Sequence, residues 1–376
     1  MVLKATANTK KKGAGKVGAK PPGTYFVVMA GGRGERFWPL STDLVPKPFI
    51  NLTGKKTLIE LTVERAQGII PIDNVFIVLG REHLPAARAC LPGLPQGNFI
   101  IEPVGRDTAP CIALAAATVH SKDPHAVMVV LPSDHVVRDK NLFTALIRKA
   151  IKTARDRDNL ITIGITPDRP ETGYGYIKRG APVKLPRGPE CFEVDRYVEK
   201  PKIAKARRFF KEGGYYWNAG IFVWRACVFL KALKLHMPEM HAGIMEFQKA
   251  AGSRKFKEAD AIFTGLEKVS IDYGLMEKAR NVLVIPATFA WDDVGTWTAL
   301  HRVLPADNDG NIVIGGAVVI DSSNCVVISG DTPLAVLGMS GSIVVASDNG
   351  ILVCDASRVQ DVRRVTRAIQ EKLLKK

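Results

Sequence analysis

Between residues 25 and 165, short apolar runs alternate with stretches of helical periodicity, and this rhythm constrains the fold more than any other feature of the chain. The runs YFVVMA (25–30), VFIVL (75–79), FII (99–101), AVMVVL (126–131) and LITIGI (160–165) have strand length and almost no polar residue. Strands read this way when helices cover both faces of a parallel sheet. Helical text fills the gaps at 57–67, 108–120 and 142–155. The pattern predicts an α/β fold with a doubly wound sheet. Ligands bind such sheets at the carboxyl ends of the strands, so the loops there are where chemistry is expected.

The rhythm breaks at 171–224, where YGYIKRG and CFEVDRYVEKP read as strands with hairpin-like turns, an inserted or edge-extending lobe. Helical text runs over 225–248, and a β-α return follows at 270–302. Past Arg302 no Lys or Arg occurs until Arg358, and short apolar strands recur near Val318, Val326, Ala335, Val344 and Leu352. Turn residues separate them, which predicts a small all-β, β-helix-like unit. A basic amphipathic helix over 358–374 closes the chain. The expected division is a disordered basic tail at 1–22, an α/β domain at 23–305 and the small β domain at 306–376.

The net charge is +16, and six of the lysines lie in residues 1–20, which hold no Asp or Glu, so the rest still carries +10. A basic body suits anionic ligands such as nucleotides and sugar phosphates. The tail lacks aromatic interleaving, which argues against a nucleic-acid partner. No apolar run reaches the roughly 18 residues of a membrane span, so no membrane partner is expected. Six scattered cysteines without a C-x-x-C pair suit a reducing cytoplasm. Cys90, Cys227 and Cys354 sit in apolar runs and are expected to pack as small hydrophobes.

Six segments carry chemistry. AGGRGERFWPL (30–40) directly follows the first strand, and its glycines permit positive φ and leave backbone N–H groups bare for phosphate oxygens. It fits neither G-x-x-x-x-G-K-[ST] nor G-x-G-x-x-G. Arg36 adds a planar guanidinium suited to phosphate, and Lys47-Pro48-Phe49 follows soon after. LPSDH (131–135) places Asp134 at the end of an apolar strand, where it can hold Mg²⁺ together with substrate phosphates. WDDVGT (291–296) offers two acids, one of which can join it. Lys200 in EKP can meet a phosphate, and Asn218 in WNAGIF both donates and accepts, as a sugar hydroxyl requires.

Together and in this order, GGRGERFWPLS, PKPF, EPVGRDTAPCIALAA, LPSDH, ETGYGYI, VEKP, WNAGIF, SIDYGLMEKA and WDDVGTW resemble the nucleotide-sugar pyrophosphorylases, most closely the branch that transfers guanylyl groups to mannose 1-phosphate. The resemblance runs from about residue 25 to about residue 374. It implies a Rossmann-like, GT-A-like mixed sheet followed by a small β domain. It implies attack of mannose 1-phosphate on the α-phosphate of GTP, with Mg²⁺ required. Carried over position by position, it puts Arg36 on the departing phosphates and Lys47 at the α-phosphate. Ala30, Gly31, Gly32 and Gly34 wrap the triphosphate. Glu102, Pro103, Arg106, Thr108 and Ala109 border the base. Gly175, Glu199 and Asn218 contact the sugar, Lys200 grips its phosphate, and Asp134 and Asp293 hold the metal.

The family commonly reads Arg-Asn-Thr where this chain has Arg106-Asp107-Thr108, a change that deletes donors near the nucleotide. Longer relatives continue into an isomerase domain; this chain stops about 75 residues past the transferase motifs, so isomerase activity is not expected. The alternatives are another base or sugar-phosphate specificity on the same fold, or a regulatory paralogue that binds sugar nucleotides without turning them over. Arg36, Lys47, Asp134 and Asp293 all being present argues against the second. The β domain offers a surface for a homodimer.

Overall fold

The structure is a computed structural model, and it describes residues 23–374 apart from 33, 55, 186 and 187. The expected tail at 1–22 lies outside the described residues. Eleven strands build the larger unit among the described residues: β1 (Thr24–Met29), β2 (Val75–Gly80), β3 (Phe99–Glu102), β4 (Val127–Pro132), β5 (Val136–Val137), β6 (Leu160–Ile165), β7 (Tyr176–Pro182), β8 (Phe192–Val198), β9 (Tyr215–Arg225), β10 (Val282–Pro286) and β11 (Trp291–Asp292). Its helices are α1 (Leu58–Gln67), α2 (Leu84–Cys90), α3 (Thr108–Lys122), α4 (Lys140–Asp156), α5 (Ile203–Glu212), α6 (Ala226–His236), α7 (Pro238–Gly252), α8 (Phe256–Gly265) and α9 (Leu300–Val303).

Nine strands form one mixed sheet in the order β3-β2-β1-β4-β9-β6-β10-β8-β7. β1 pairs in parallel with both β2 and β4, so the chain builds outward in one direction and then returns to β1's other side. The crevice at the carboxyl ends of β1 and β4 is therefore a topological switch point, where open α/β sheets bind ligands. Helices cover both faces. The core on one face gathers Phe26, Ile77, Val129, Ile163 and α4's Phe143, and the core on the other gathers α3's alanines with Trp224 and Phe229. Thr57 starts α1 with a capping box, its hydroxyl accepting from the Glu60 N–H while Glu60 accepts from the Thr57 N–H.

Two details depart from the sequence reading. β9 is not an edge addition: it lies antiparallel between β4 and β6 in mid-sheet, and its first residues also pair with β7, so β7 lies between β8 and β9 rather than forming a free edge. The helical text at 225–248 divides into α6 and α7, because Pro238 has no N–H to continue α6 and instead starts α7. Cys90, Cys227 and Cys354 are partly buried and pack against apolar clusters, as expected of small hydrophobes, while Cys111, Cys191 and Cys325 are buried.

The smaller unit stacks β12 (Ile312–Ile314), β13 (Val318–Ile320), β14 (Val326–Ile328), β15 (Ala335–Leu337), β16 (Ser342–Ser347) and β17 (Gly350–Asp355), closed by α10 (Val362–Leu374). β12, β14 and β16 pair in parallel, as do β13 and β15, giving the stacked, β-helix-like rungs expected, with β17 turning back antiparallel. Asn311 ties two rungs: its amide donates to the Ser322 carbonyl and its carbonyl accepts from the Cys325 N–H.

One apolar core joins the two units. Phe37, Ile50, Leu58, Trp297 and Leu300 pack with Ile312, Val326, Ile343, Val345, Val359 and Val362. Above it the Trp38 indole lies against Gly350, where an added Cβ would stand 2.9 Å from the ring. Ser347 Oγ and Asn349 Nδ2 both donate to the Pro39 carbonyl at 3.1 Å. The glycine-rich loop is thus braced from behind by the β unit.

Candidate active site

The loop after β1 turns at Gly34, whose φ of 61° and 2.8 Å approach of its would-be Cβ to Lys47 leave no room for a side chain. The turn is pinned by the Phe37 N–H and the Ser41 hydroxyl, both donating to the Gly34 carbonyl. Arg36 leaves it to donate through Nη1 to the Gly295 carbonyl at 3.1 Å. The loop, WDDVGT and LPSDH thereby converge.

Lys47 is their meeting point. It is 7% exposed, and its Nζ donates to Asp134 Oδ2 at 2.9 Å and to the Asp293 carbonyl at 2.5 Å. Burial works against charge on Asp134, but the Lys47 ammonium beside it outweighs this and holds the carboxyl below its ordinary range. Burial pushes His135 down, and Lys47 adds to this. The ring is then neutral, and its Nδ1 accepts from Trp291 Nε1 at 3.2 Å.

The two acids of WDDVGT part company. Asp292 turns inward, accepting from Arg302 Nε and Nη2 and from the Val294 N–H. Asp293 points into the cleft, where Oδ1 accepts from Tyr174 OH at 2.6 Å. Burial and the Asp293 charge raise Tyr174 well above its ordinary value, so it stays a donor. No group of three or more His, Cys, Asp or Glu suited to a metal occurs among the described residues. Asp134 and Asp293 instead line the same cavities, and a pair of carboxylates suits a divalent cation that completes its shell with ligand oxygens and water.

Beyond this cluster opens a cleft of about 880 Å³, lined by Gly31, Arg36, Thr108, Asp134, Gly175, Glu199, Lys200, Asn218 and Asp293 among others. A smaller cavity of about 320 Å³ holds Gly34 and Lys47 and shares Arg36, Asp134, His135, Asp293 and Gly295 with it. At the far end of the cleft Asn218 sits on β9, its amide donating to Asp272 Oδ1 at 3.0 Å and its carbonyl accepting from the Gly220 N–H. Tyr197 OH donates to the same Asp272 oxygen at 2.9 Å. Burial and the neighbouring Glu199 push Asp272 up to about 6. At Gly175 an added Cβ would stand 2.5 Å from Glu199 Oε2 and would displace that carboxylate. Lys200 Nζ donates to Glu199 Oε1 at 2.5 Å.

Other expected positions do not line either cavity: Ala30, Gly32, Glu102, Pro103, Arg106 and Ala109. Ala30 and Ala109 are buried, and their N–H groups donate to the Val78 and Val269 carbonyls. Glu102 is buried beside Cys111, and burial pushes it up to about 7. Arg106 donates to the Thr264 carbonyl. Asp107 caps α3, its carboxylate accepting from the Thr108 N–H at 2.7 Å with φ at 70°. An acid suits the positive end of a 15-residue helix. The sequence reading gave no role to Asp272, Tyr174, His135 or Arg363. Asp272 lies within SIDYGLMEKA, but nothing in that segment's composition reveals that a π-helical turn delivers it to Asn218.

Residues 25–310 match the family model described as nucleotidyl transferase, and residues 315–369 match a MannoseP isomerase/GMP-like beta-helix domain. A mannose-1-phosphate guanylyltransferase of Escherichia coli is 37% identical over 351 residues, covering 92% of this chain and 74% of that protein. The alginate biosynthesis protein AlgA of Pseudomonas aeruginosa is 34% identical over 348 residues, covering 91% and 71%. A crystal structure from Thermus thermophilus, described as a mannose-1-phosphate geranyltransferase, superposes with a TM-score of 0.83 at 35% identity, covering 92% of this chain and 99% of that one.

Proposed function

The chain belongs to the nucleotidyl transferase family, and on that footing we propose that it transfers GMP from GTP to mannose 1-phosphate, forming GDP-mannose and pyrophosphate. The observation that carries the reading is Lys47, buried between Asp134 and the Asp293 backbone where the two cavities meet. An oxygen of the sugar phosphate attacks the α-phosphorus in line. The bond to the bridging oxygen breaks, and its electron pair leaves with pyrophosphate. The nucleophile is already ionised, so no general base is needed, and the work of the site is positioning and charge compensation.

Lys47 offsets charge growing on the α-phosphate, and Arg36 offsets it on the departing phosphates. Asp134 and Asp293 hold a divalent cation, proposed to be Mg²⁺, which when bound withdraws charge from the phosphate oxygens. Glu199, Asn218 and Asp272 take sugar hydroxyls, with Gly175 supplying backbone and Lys200 the phosphate contact. Gly31, Gly32 and Gly34 follow the triphosphate from Ala30. The stretch Glu102, Pro103, Arg106, Thr108 and Ala109 shapes the base side, its buried members acting through the backbone they hold.

The transferase unit is taken as 23–305 and the β unit as 306–376. The exposed Val318, Ile320 and Leu337 of the β unit form the proposed homodimer face. Free thiols favour the cytoplasm. The test is pyrophosphate release with Mg²⁺, comparing GTP, UTP and dTTP across a panel of sugar 1-phosphates. GTP with mannose 1-phosphate is expected to give the highest kcat/KM; a preference for another pair, or no turnover of any, overturns the reading.

A further inference from the structure

We propose that Arg363, in the first turn of α10, is a substrate-binding residue that takes the pyrophosphate end of the nucleotide, so that the β unit supplies part of the transferase site. The inference rests on the reading of the chain as a nucleotidyltransferase and adds a residue to it. Arg363 lines the smaller cavity together with Arg36, Lys47, Glu35, Asp134 and Asp293. In-line transfer places the attacking oxygen and the leaving group on opposite sides of the α-phosphate. The sugar-side groups Glu199, Lys200 and Asn218 line the larger cleft and not the smaller cavity. The smaller cavity, which shares the metal carboxylates but none of those groups, is left for the departing phosphates.

Its position is built rather than incidental. Val362, one residue earlier, is 2% exposed and belongs to the core shared with Phe37 and Trp297. One turn later, Thr366 Oγ1 donates to the Glu35 carbonyl of the glycine-rich loop at 3.2 Å. These contacts on either side fix Arg363 against the loop. The nearby carboxylate, Asp361, is already engaged by Arg358 at 2.6 Å and by Arg364 at 3.7 Å. Among the described residues Arg363 has no carboxylate partner, so its charge is available to an anion. A guanidinium can bridge two phosphate oxygens, which fits a pyrophosphate group better than a single point charge would.

The test uses the full chain with Arg363→Ala, Arg363→Lys and, as the neighbouring control, Arg364→Ala. Steady-state kinetics run in both directions, and Mg²⁺-pyrophosphate binding is measured by calorimetry without nucleotide or sugar. Arg363→Ala is expected to raise KM for GTP and for pyrophosphate about tenfold, as loss of a hydrogen bond to a charged group does. It should leave KM for mannose 1-phosphate within about twofold. Calorimetry should show a matching loss of pyrophosphate affinity, and Arg363→Lys should restore part of it. If Arg363→Ala moves these values no more than Arg364→Ala does, the inference is overturned while the transferase reading stands. If the parent binds pyrophosphate through Arg363 but turns over no nucleotide, the transferase reading fails and the pyrophosphate site stands.

Discussion

The two ends of the cleft solve different problems with different materials. At the phosphate end, Arg36, Lys47, Asp134 and Asp293 converge on one cavity: Lys47 pairs with Asp134 and donates to the Asp293 carbonyl, while Arg36 donates to the Gly295 carbonyl. At the sugar end, Asn218, Tyr197 and Asp272 form a partly buried network that depends on one shared oxygen, Asp272 Oδ1. The first end is arranged for charge that moves during a reaction, and preorganised charges act most strongly in the transition state. The second is proposed to recognise neutral hydroxyls, whose orientation matters equally before and after transfer. Changes at the phosphate end should therefore appear in kcat, and changes at the sugar end in KM.

The largest expected effect is Lys47→Ala. Removing one preorganised electrostatic contact of this kind costs on the order of 10²–10³ in rate. Saturating kinetics with GTP and mannose 1-phosphate should show that loss in kcat. A folded variant with near-parental kcat would remove Lys47 from the phosphate end.

Asp293→Asn should lower turnover by about a hundredfold and raise the Mg²⁺ concentration needed for half-maximal rate, because one of two metal carboxylates is lost. Its fold should hold, since the remaining amide oxygen can still accept from Tyr174 OH. Asp292→Asn sharpens the contrast. Asp292 faces inward to Arg302, so its loss should cost stability, about 2 kcal/mol for a charge-assisted pair, while kcat stays within a few-fold. Thermal melts and kinetics on the two variants should give opposite patterns; the same pattern in both would dissolve the assignment.

The same contrast explains what could be read from sequence. The parallel strands were legible to within a residue or so because burial on both faces makes them unbroken apolar runs; β6 matches its run of 160–165 end to end. β9's central place was not, since its apolar text fits an edge or a centre equally well and the choice of partners is non-local. The missed helix α8, FKEADAIFTG, is short and alternates charge with apolar residues. In the candidate site, Lys47, Asp134 and Asp293 stand out in the sequence because each sits at a strand end or in a motif with its own chemistry, and the fold brings the three to one cavity. Asp272 and Arg363 have no local signature. They acquire meaning only when a π-helical turn meets β9 and when a helix from the β unit meets the glycine-rich loop.

At the sugar end, Asp272→Asn should raise KM for mannose 1-phosphate about tenfold, the cost of replacing a charged hydrogen-bond partner, with a smaller change in kcat. Both Tyr197 and Asn218 donate to Oδ1, which the asparagine carbonyl can replace, so the network should survive. A change confined to kcat would show that Asp272 belongs with the charged end instead.

The smallest effect is on stability and has a sign set by proton linkage. Asp272 is held at about 6 against an ordinary value of 3.8, burial being the main cause and Glu199 the second. Between those values the folded protein keeps a proton that the unfolded chain has released, so this group's contribution to stability falls as pH rises from about 4 to about 6. Above that window the ionised carboxylate costs at most about 3 kcal/mol, taking 1.36 kcal/mol per pH unit. The Asp272→Asn variant carries no such penalty. Its melting temperature should exceed the parent's by several degrees at pH 7.5, and the gap should close as pH falls to 4. Glu102, held at about 7 by burial, pulls in the same direction in both proteins and cancels from the difference. Melting curves of parent and variant across pH 4–8 provide the measurement. A difference that stays constant with pH would mean that Asp272 is already ionised at little cost, and that the sugar end tolerates charge as readily as the phosphate end.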